Sequence, residues 1–213
     1  MIKYLLYLLT LTFSLACTAQ QVDKDLLLIK KRMDSVQQFS ATVTLNLEVP
    51  FINMPTKKAE MKYTKDKGIK FSSDDFVMLP KRGLDFSLNE IFKYPFITVD
   101  RGIQTKNGKQ LKVLNVIPTD NKSDLALVTL YLDTKNRRIT ESEINTKKDG
   151  SYTITSQYSA TKDILPTNVE INFAIEKLKI PLNFMGKDTK IDRKKMREEG
   201  TKTGKIKMKM NYK

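Results

Sequence analysis

The stretch "FSATVTLNLEV", Phe39 to Val49, decides the fold. Phe39, Ala41, Val43, Leu45, Leu47 and Val49 alternate with Ser40, Thr42, Thr44, Asn46 and Glu48. Strict alternation over this length specifies a long strand with one apolar and one wet face, since successive side chains point to opposite sides of a sheet. Upstream the period is helical. Leu26, Ile29, Met33 and Val36 recur at spacings of three and four, which predicts an amphipathic helix over residues 23–38. Asp23 or Asp25 suits its first turn, where negative charge complements the helix dipole.

Downstream, Pro50 and Pro55 interrupt the strand, and "KAEMKYT" resumes the alternation with Ala59, Met61 and Tyr63. "IKF" and "DFVML" read as short strands, followed by candidates at 96–103, 110–118, 126–133, 138–146, 151–159 and 167–175. Turn chemistry separates them in "KNGK", "PTDNKSD", "DTKNR" and "KKDGS", with Asp149-Gly150 the strongest hairpin signal. "GLDFSLNEIFKYP" breaks the series with Leu84, Leu88, Ile91 and Phe92 at helical spacing. Ser87 and Glu90 are placed as a capping box, and Pro95 stops the helix. Residues 184–204 are charged and aperiodic, which reads as a surface loop. The tail "GKIKMKMNYK" returns to period two, with lysines on one side, and reads as a strand of the edge type.

The expected architecture is mainly β. A strongly curved antiparallel sheet of about 9–11 strands, in meander order, forms an unclosed barrel with an N-terminal helix and a short apolar lid helix. Residues 1–19 read as an export signal, with Lys3 ahead of the apolar run Leu5–Leu15, leaving 20–213 as a single domain. Cys17 offers two readings. It is a lipidation site if cleavage follows Ala16, although Ser14 stands where a lipobox expects leucine, or it leaves with the leader if cleavage follows Ala19.

The composition excludes whole classes of chemistry. The chain has no histidine and one cysteine, so it builds neither a histidine-dependent triad nor a disulfide nor a thiolate metal cluster. Asp74 with Asp75, and Glu141 with Glu143, are the carboxylate pairs left for acid–base work; a turn and ordinary charge pairing account for them. No phosphate loop or calcium loop is present. These absences point to a binding protein without cofactor or metal rather than an enzyme. The net charge of +14 is carried mostly by dispersed lysine, as expected of a solvated surface or one attracted to anionic membrane, and not of a nucleic-acid binder.

The order of elements resembles a known family. A leader and helix running into "QQFSATVTLNLEV", then "MKYTKDKGIKFSSDDFVMLP", "VTLYLDTKNRRITESEINTKKDGSYTITSQYS" and "ILPTNVEINF", are similar to the LolA/LolB-like lipoprotein-carrier superfamily. The resemblance implies a lid over an apolar cavity, a lipid or acylated lipoprotein as partner, and a periplasmic or outer-membrane location. Val43, Leu45, Leu47, Met61 and Tyr63 on one strand face, with Leu88, Ile91 and Phe92 as lid, are the candidate lipid-binding residues; a filled core accounts equally well for any one of them. Carrier members also hold the lid with an arginine in an early strand. Here no arginine lies between Arg32 and Arg82, leaving Lys57, Lys58 or Lys62 as substitutes that lack the planar guanidinium fork. The expected role is that of an exported monomeric carrier or binder, with an envelope structural or signalling adaptor as the alternative.

Overall fold

The alternation over Phe39–Val49 becomes β1, Gln38–Glu48, whose inward residues Ala41, Val43 and Leu45 are buried. The computed structural model describes residues 22–65, 67–72, 88–176 and 188–213. The readings placed on the leader and Cys17, on "DFVML", Asp74 and Asp75, and on Leu84 and Ser87 lie outside these residues.

Before β1 runs α1, Lys24–Asp34, capped by the Asp23 carboxylate, which accepts from the backbone N–H groups of Asp25 and Leu26. Its buried residues are Leu26 and Ile29. The helix stops a turn short of the expected end, with Ser35 as C-cap, so Val36 falls outside it. After β1 come β2 (Ile52–Asn53), β3 (Lys57–Thr64), β4 (Gly68–Ser72) and α2 (Asn89–Phe92). A six-strand meander follows: β5 (Phe96–Lys106), β6 (Lys109–Pro118), β7 (Leu125–Asp133), β8 (Arg138–Thr146), β9 (Ser151–Gln157) and β10 (Asn168–Ile175). The chain closes with β11 (Lys190–Ile191), α3 (Arg193–Glu198) and β12 (Lys202–Tyr212).

Ten strands form one antiparallel sheet in the order β4-β3-β1-β12-β10-β9-β8-β7-β6-β5. The expected meander therefore holds only from β5 to β10. The lysine-faced tail is not an edge strand: β12 sits between β1 and β10 and joins the two halves of the sheet.

The expected strongly curved, unclosed barrel is not what forms. The sheet is open and not strongly curved, with β4 and β5 as its two ends, and the strands meet along neighbours in the order. Two features explain this. The apolar face is covered by other elements instead of by the sheet curling on itself. At one end, α1 and α2 pack Leu26, Ile29, Leu88 and Ile91 on Leu114, Val128, Leu130 and Leu132. At the other, Phe51 and Ile52, with Ile191 and Met196, cover β1, β3, β10 and β12. β2 and β11 pair to hold this second cover in place. In addition, β5 changes register between Asp100 and Ile103, and its outer half is exposed, so it has no apolar face to turn inward.

Local signals account for most connections. Asn107 and Gly108 take positive φ values of 52° and 72° and turn the chain directly from Lys106 to Lys109, while Asp149-Gly150 lies in the longer turn that joins β8 and β9 as a hairpin. The α2 N-cap is Leu88, at φ 59°. Within the supposed loop at 184–204, Asp192 caps α3 by accepting from Lys194 and Lys195 N–H groups.

Candidate functional site

One row of inward-facing residues crosses the sheet. Leu47 faces Ile206, Ile206 faces Ile171, Ile171 faces Ile154, Ile154 faces Ser142, Ser142 faces Leu130, and Leu130 faces Leu114. Burial along it is uneven. Ile171, Leu130 and Leu114 are fully buried, whereas Ile154 and Ser142 between them are only half-buried. The core under the β2–β11 cover runs out at β9, where Tyr152 and Ile154 pack against it only partly buried, and the helices cover β7 and part of β8. Between the two covers lies a trough floored by β8, β9 and β10.

The trough has a volume of about 110 Å³ and is walled by Ile139, Ile144, Ile154 and Val169, with Leu88, Ile91 and Met33 from the helix side. Its space comes from small side chains. Ser142 and Ser156 occupy inward positions where the neighbouring strands carry Leu130 and Val169. Glu90, Tyr94, Asp124 and Tyr158 add polar groups.

A polar frame holds one end. Arg32, on the last turn of α1, donates to the backbone carbonyls of Asn136, of Lys162 at 2.8 Å and of Asp163 at 3.3 Å. It thereby ties the helix to both the β7–β8 turn and the β9–β10 connection. Arg138 reinforces the link, with Nε 3.1 Å from the Asp133 carboxylate and a guanidinium bond of 3.0 Å to the Ala160 carbonyl. Burial pushes against the Asp133 carboxylate, but the Asn136 side-chain and backbone bonds and Arg138 outweigh it and hold its pKa below the usual value. The Arg138 guanidinium lies 4.4 Å from the Tyr158 ring centre. The Tyr158 hydroxyl donates to the Ile139 carbonyl at 2.9 Å, and burial pushes its pKa up to about 12. At the helix start, the Lys112 ammonium lies 2.7 Å from both the Asp23 and Asp25 carboxylates. Burial opposes its charge, yet those two bonds raise its pKa well above the ordinary lysine value.

The expected lining residues separate into two groups. Leu88 and Ile91 border the trough, and Phe92 packs beside them in the same cluster. Val43, Leu45 and Met61 are buried together under the β2–β11 cover, with Leu47 packed against them. Tyr63 stacks on Phe39 with ring centres 5.1 Å apart. None of these five borders the trough. Of the lysines weighed as lid-holders, Lys57 turns inward to the Asp188 carboxylate at 2.5 Å, while Lys58 and Lys62 lie exposed on the opposite face. The multi-carbonyl clasp belongs instead to Arg32.

Sequence reading missed Ile139, Ile144, Ile154 and Val169 as trough residues. The register shifts between Tyr131 and Leu132, so Ile139 and Ser142 share a face despite their odd spacing, and simple alternation hides them. The detectable signal was serine on an otherwise apolar face, at Ser142 and Ser156. Glu141 and Glu143 face the other way. Glu141 pairs with Lys106 and Glu143 accepts from the Tyr131 hydroxyl at 2.8 Å. Among the described residues, no group of three or more His, Cys, Asp or Glu is placed to hold a metal ion.

No family model matches the chain, and no curated protein matches it. Among solved structures, it is similar to a domain named for outer membrane lipoprotein sorting from Vibrio parahaemolyticus. The identity is 13%, with 88% of this chain and 91% of that chain covered, and a TM-score of 0.47. It is likewise similar to a LolA superfamily protein from Nitrosomonas europaea, at 11% identity, 86% and 92% coverage, and a TM-score of 0.43.

Proposed function

We propose that this chain is an exported, non-catalytic binder of acyl chains, carried by a lipid or an acylated protein, and that the trough on β8–β10 receives them. The observation that carries this reading is the dip in burial at Ile154 and Ser142, between fully buried Ile171 and Leu130 in the same cross-sheet row. Apolar fit needs no histidine, metal or nucleophile, and each buried methylene contributes about 0.8 kcal/mol. A cavity of about 110 Å³ is smaller than the ~300 Å³ at which ligand pockets begin. A long chain therefore enters only as α1 and α2 ride outward from β8, and the Arg32 clasp sets how easily they do so. Leu88, Ile91 and Phe92 act as the movable wall in this reading. Val43, Leu45, Leu47, Met61 and Tyr63 are the fixed end of the same apolar face. The location that fits such cargo is the periplasm or the outer membrane.

The small volume favours one alternative, an envelope adaptor whose trough holds no cargo. Native mass spectrometry of protein extracted gently from its own host separates the two. Co-purifying lipid, lost in an Ile154→Lys variant that still folds, supports the binder. A protein that never carries or competes for acyl chains, and is captured by a salt-sensitive protein partner, supports the adaptor.

A further inference from the structure

The face of the sheet opposite the trough carries a regular array of charge. β12 presents Lys205, Lys207 and Lys209 there, at alternate positions and so about 7 Å apart. Two strands away β3 adds Lys58 and Lys62, and β4 adds Lys70 opposite Lys62. The acidic residues interleaved on this face are Glu48, Glu60 and Glu170, each engaged by one lysine: Lys207 at 2.6 Å, Lys213 at 2.6 Å and Lys205 at 3.0 Å. The face stays positive after those pairs are counted. Because the sheet is open and not strongly curved, five strands from β4 to β10 present this charge together, over a width of about 20–25 Å.

We infer that this lysine-bearing face docks the protein on an anionic lipid bilayer. Its chemistry distinguishes the partner. The side chains between the lysines are Thr42, Thr44, Asn46, Asn168, Asn172 and Asn211, and the described residues of these strands place no arginine or aromatic on that side. Nucleic-acid surfaces rely on guanidinium forks and on aromatic rings that stack on bases. A layer of anionic head groups needs only point charges spread over an area, and each lysine close to such a surface adds attraction. A shallow polar depression lined by Asn46, Gln157, Asn168, Lys207 and Lys209, with the Glu170 carboxylate also on its wall, lies within the array and offers a head group several donors.

The test is cosedimentation of the full chain with vesicles of phosphatidylcholine alone and with about one-third phosphatidylglycerol. Binding is expected only to the anionic vesicles, and it should fall as salt screens the charges. The double variant Lys62→Gln with Lys209→Gln should weaken it by roughly thirtyfold, while Lys147→Gln with Lys148→Gln, in the β8–β9 turn, should not. Ile154→Lys should leave vesicle binding intact, which separates this inference from the acyl-binding reading. Equal binding to neutral vesicles, no effect of the Lys62 and Lys209 changes, or tighter binding to an oligonucleotide than to the anionic vesicles overturns it.

Discussion

Ile171 on β10 and Ile154 on β9 face each other across the sheet, yet Ile171 is fully buried and Ile154 is only half-buried. The boundary between closed core and open trough runs between these two side chains. Truncation should therefore cost very different amounts. Ile171→Ala is expected to destabilise by about 3 kcal/mol, because it leaves a cavity under the β2–β11 cover, and Ile154→Ala by only about 1 kcal/mol. Urea unfolding of the two variants checks this. Equal losses would mean that the trough is closed core.

Arg32 links the end of α1 to two separate loops through backbone carbonyls. Arg32→Ala should lower stability by about 1–3 kcal/mol. Its effect should be local, with faster amide exchange over Lys24–Asp34 and unchanged protection in β1 and β12. Acyl-chain uptake should be quicker in the same variant, since the helix is freed at the trough. Uniform loss of protection would show that the clasp serves the whole fold.

Asp133 supplies a pH dependence. Its pKa is lowered in the fold, so its contribution is present above the unfolded carboxylate value and lost as pH falls through the lower folded value. Melting temperature should drop below about pH 4, and Asp133→Asn should flatten that drop. Removing the cation is harsher. Arg138→Leu leaves a buried carboxylate unpaired and should cost about 3 kcal/mol near neutral pH.

Gly204 marks where a backbone lies against the core. A Cβ there would fall 2.5 Å from the Phe173 ring and 2.6 Å from Val49. Gly204→Ala should destabilise by about 1–3 kcal/mol through overpacking. A companion Phe173→Leu change should recover part of that loss in the same melt.

Much of the fold was legible because the alternation is strict. β1, β3, the meander and β12 follow from which residues point inward, and α1 follows from Leu26 and Ile29. Sheet order was not legible, since period two says which face a strand buries and nothing about its neighbours. Only pairing shows that β12 lies between β1 and β10. The barrel expectation failed for a related reason: one-sided strands demand a cover, and the sequence pattern does not say whether the sheet or other elements supply it. Phe51, Ile52, Ile191 and Met196 do so from segments without periodicity. The trough escaped because its floor combines a bulge before Ser142 with two serines, which read as ordinary polar positions.

The most direct test of the account follows isoleucine methyl groups by NMR during titration with a soluble fatty acid. Shifts are expected at Ile91, Ile139, Ile144 and Ile154, which wall the trough, with Ile52 and Ile206 in the far cluster unmoved. Absence of any shift, or shifts confined to Ile52 and Ile206, would contradict it.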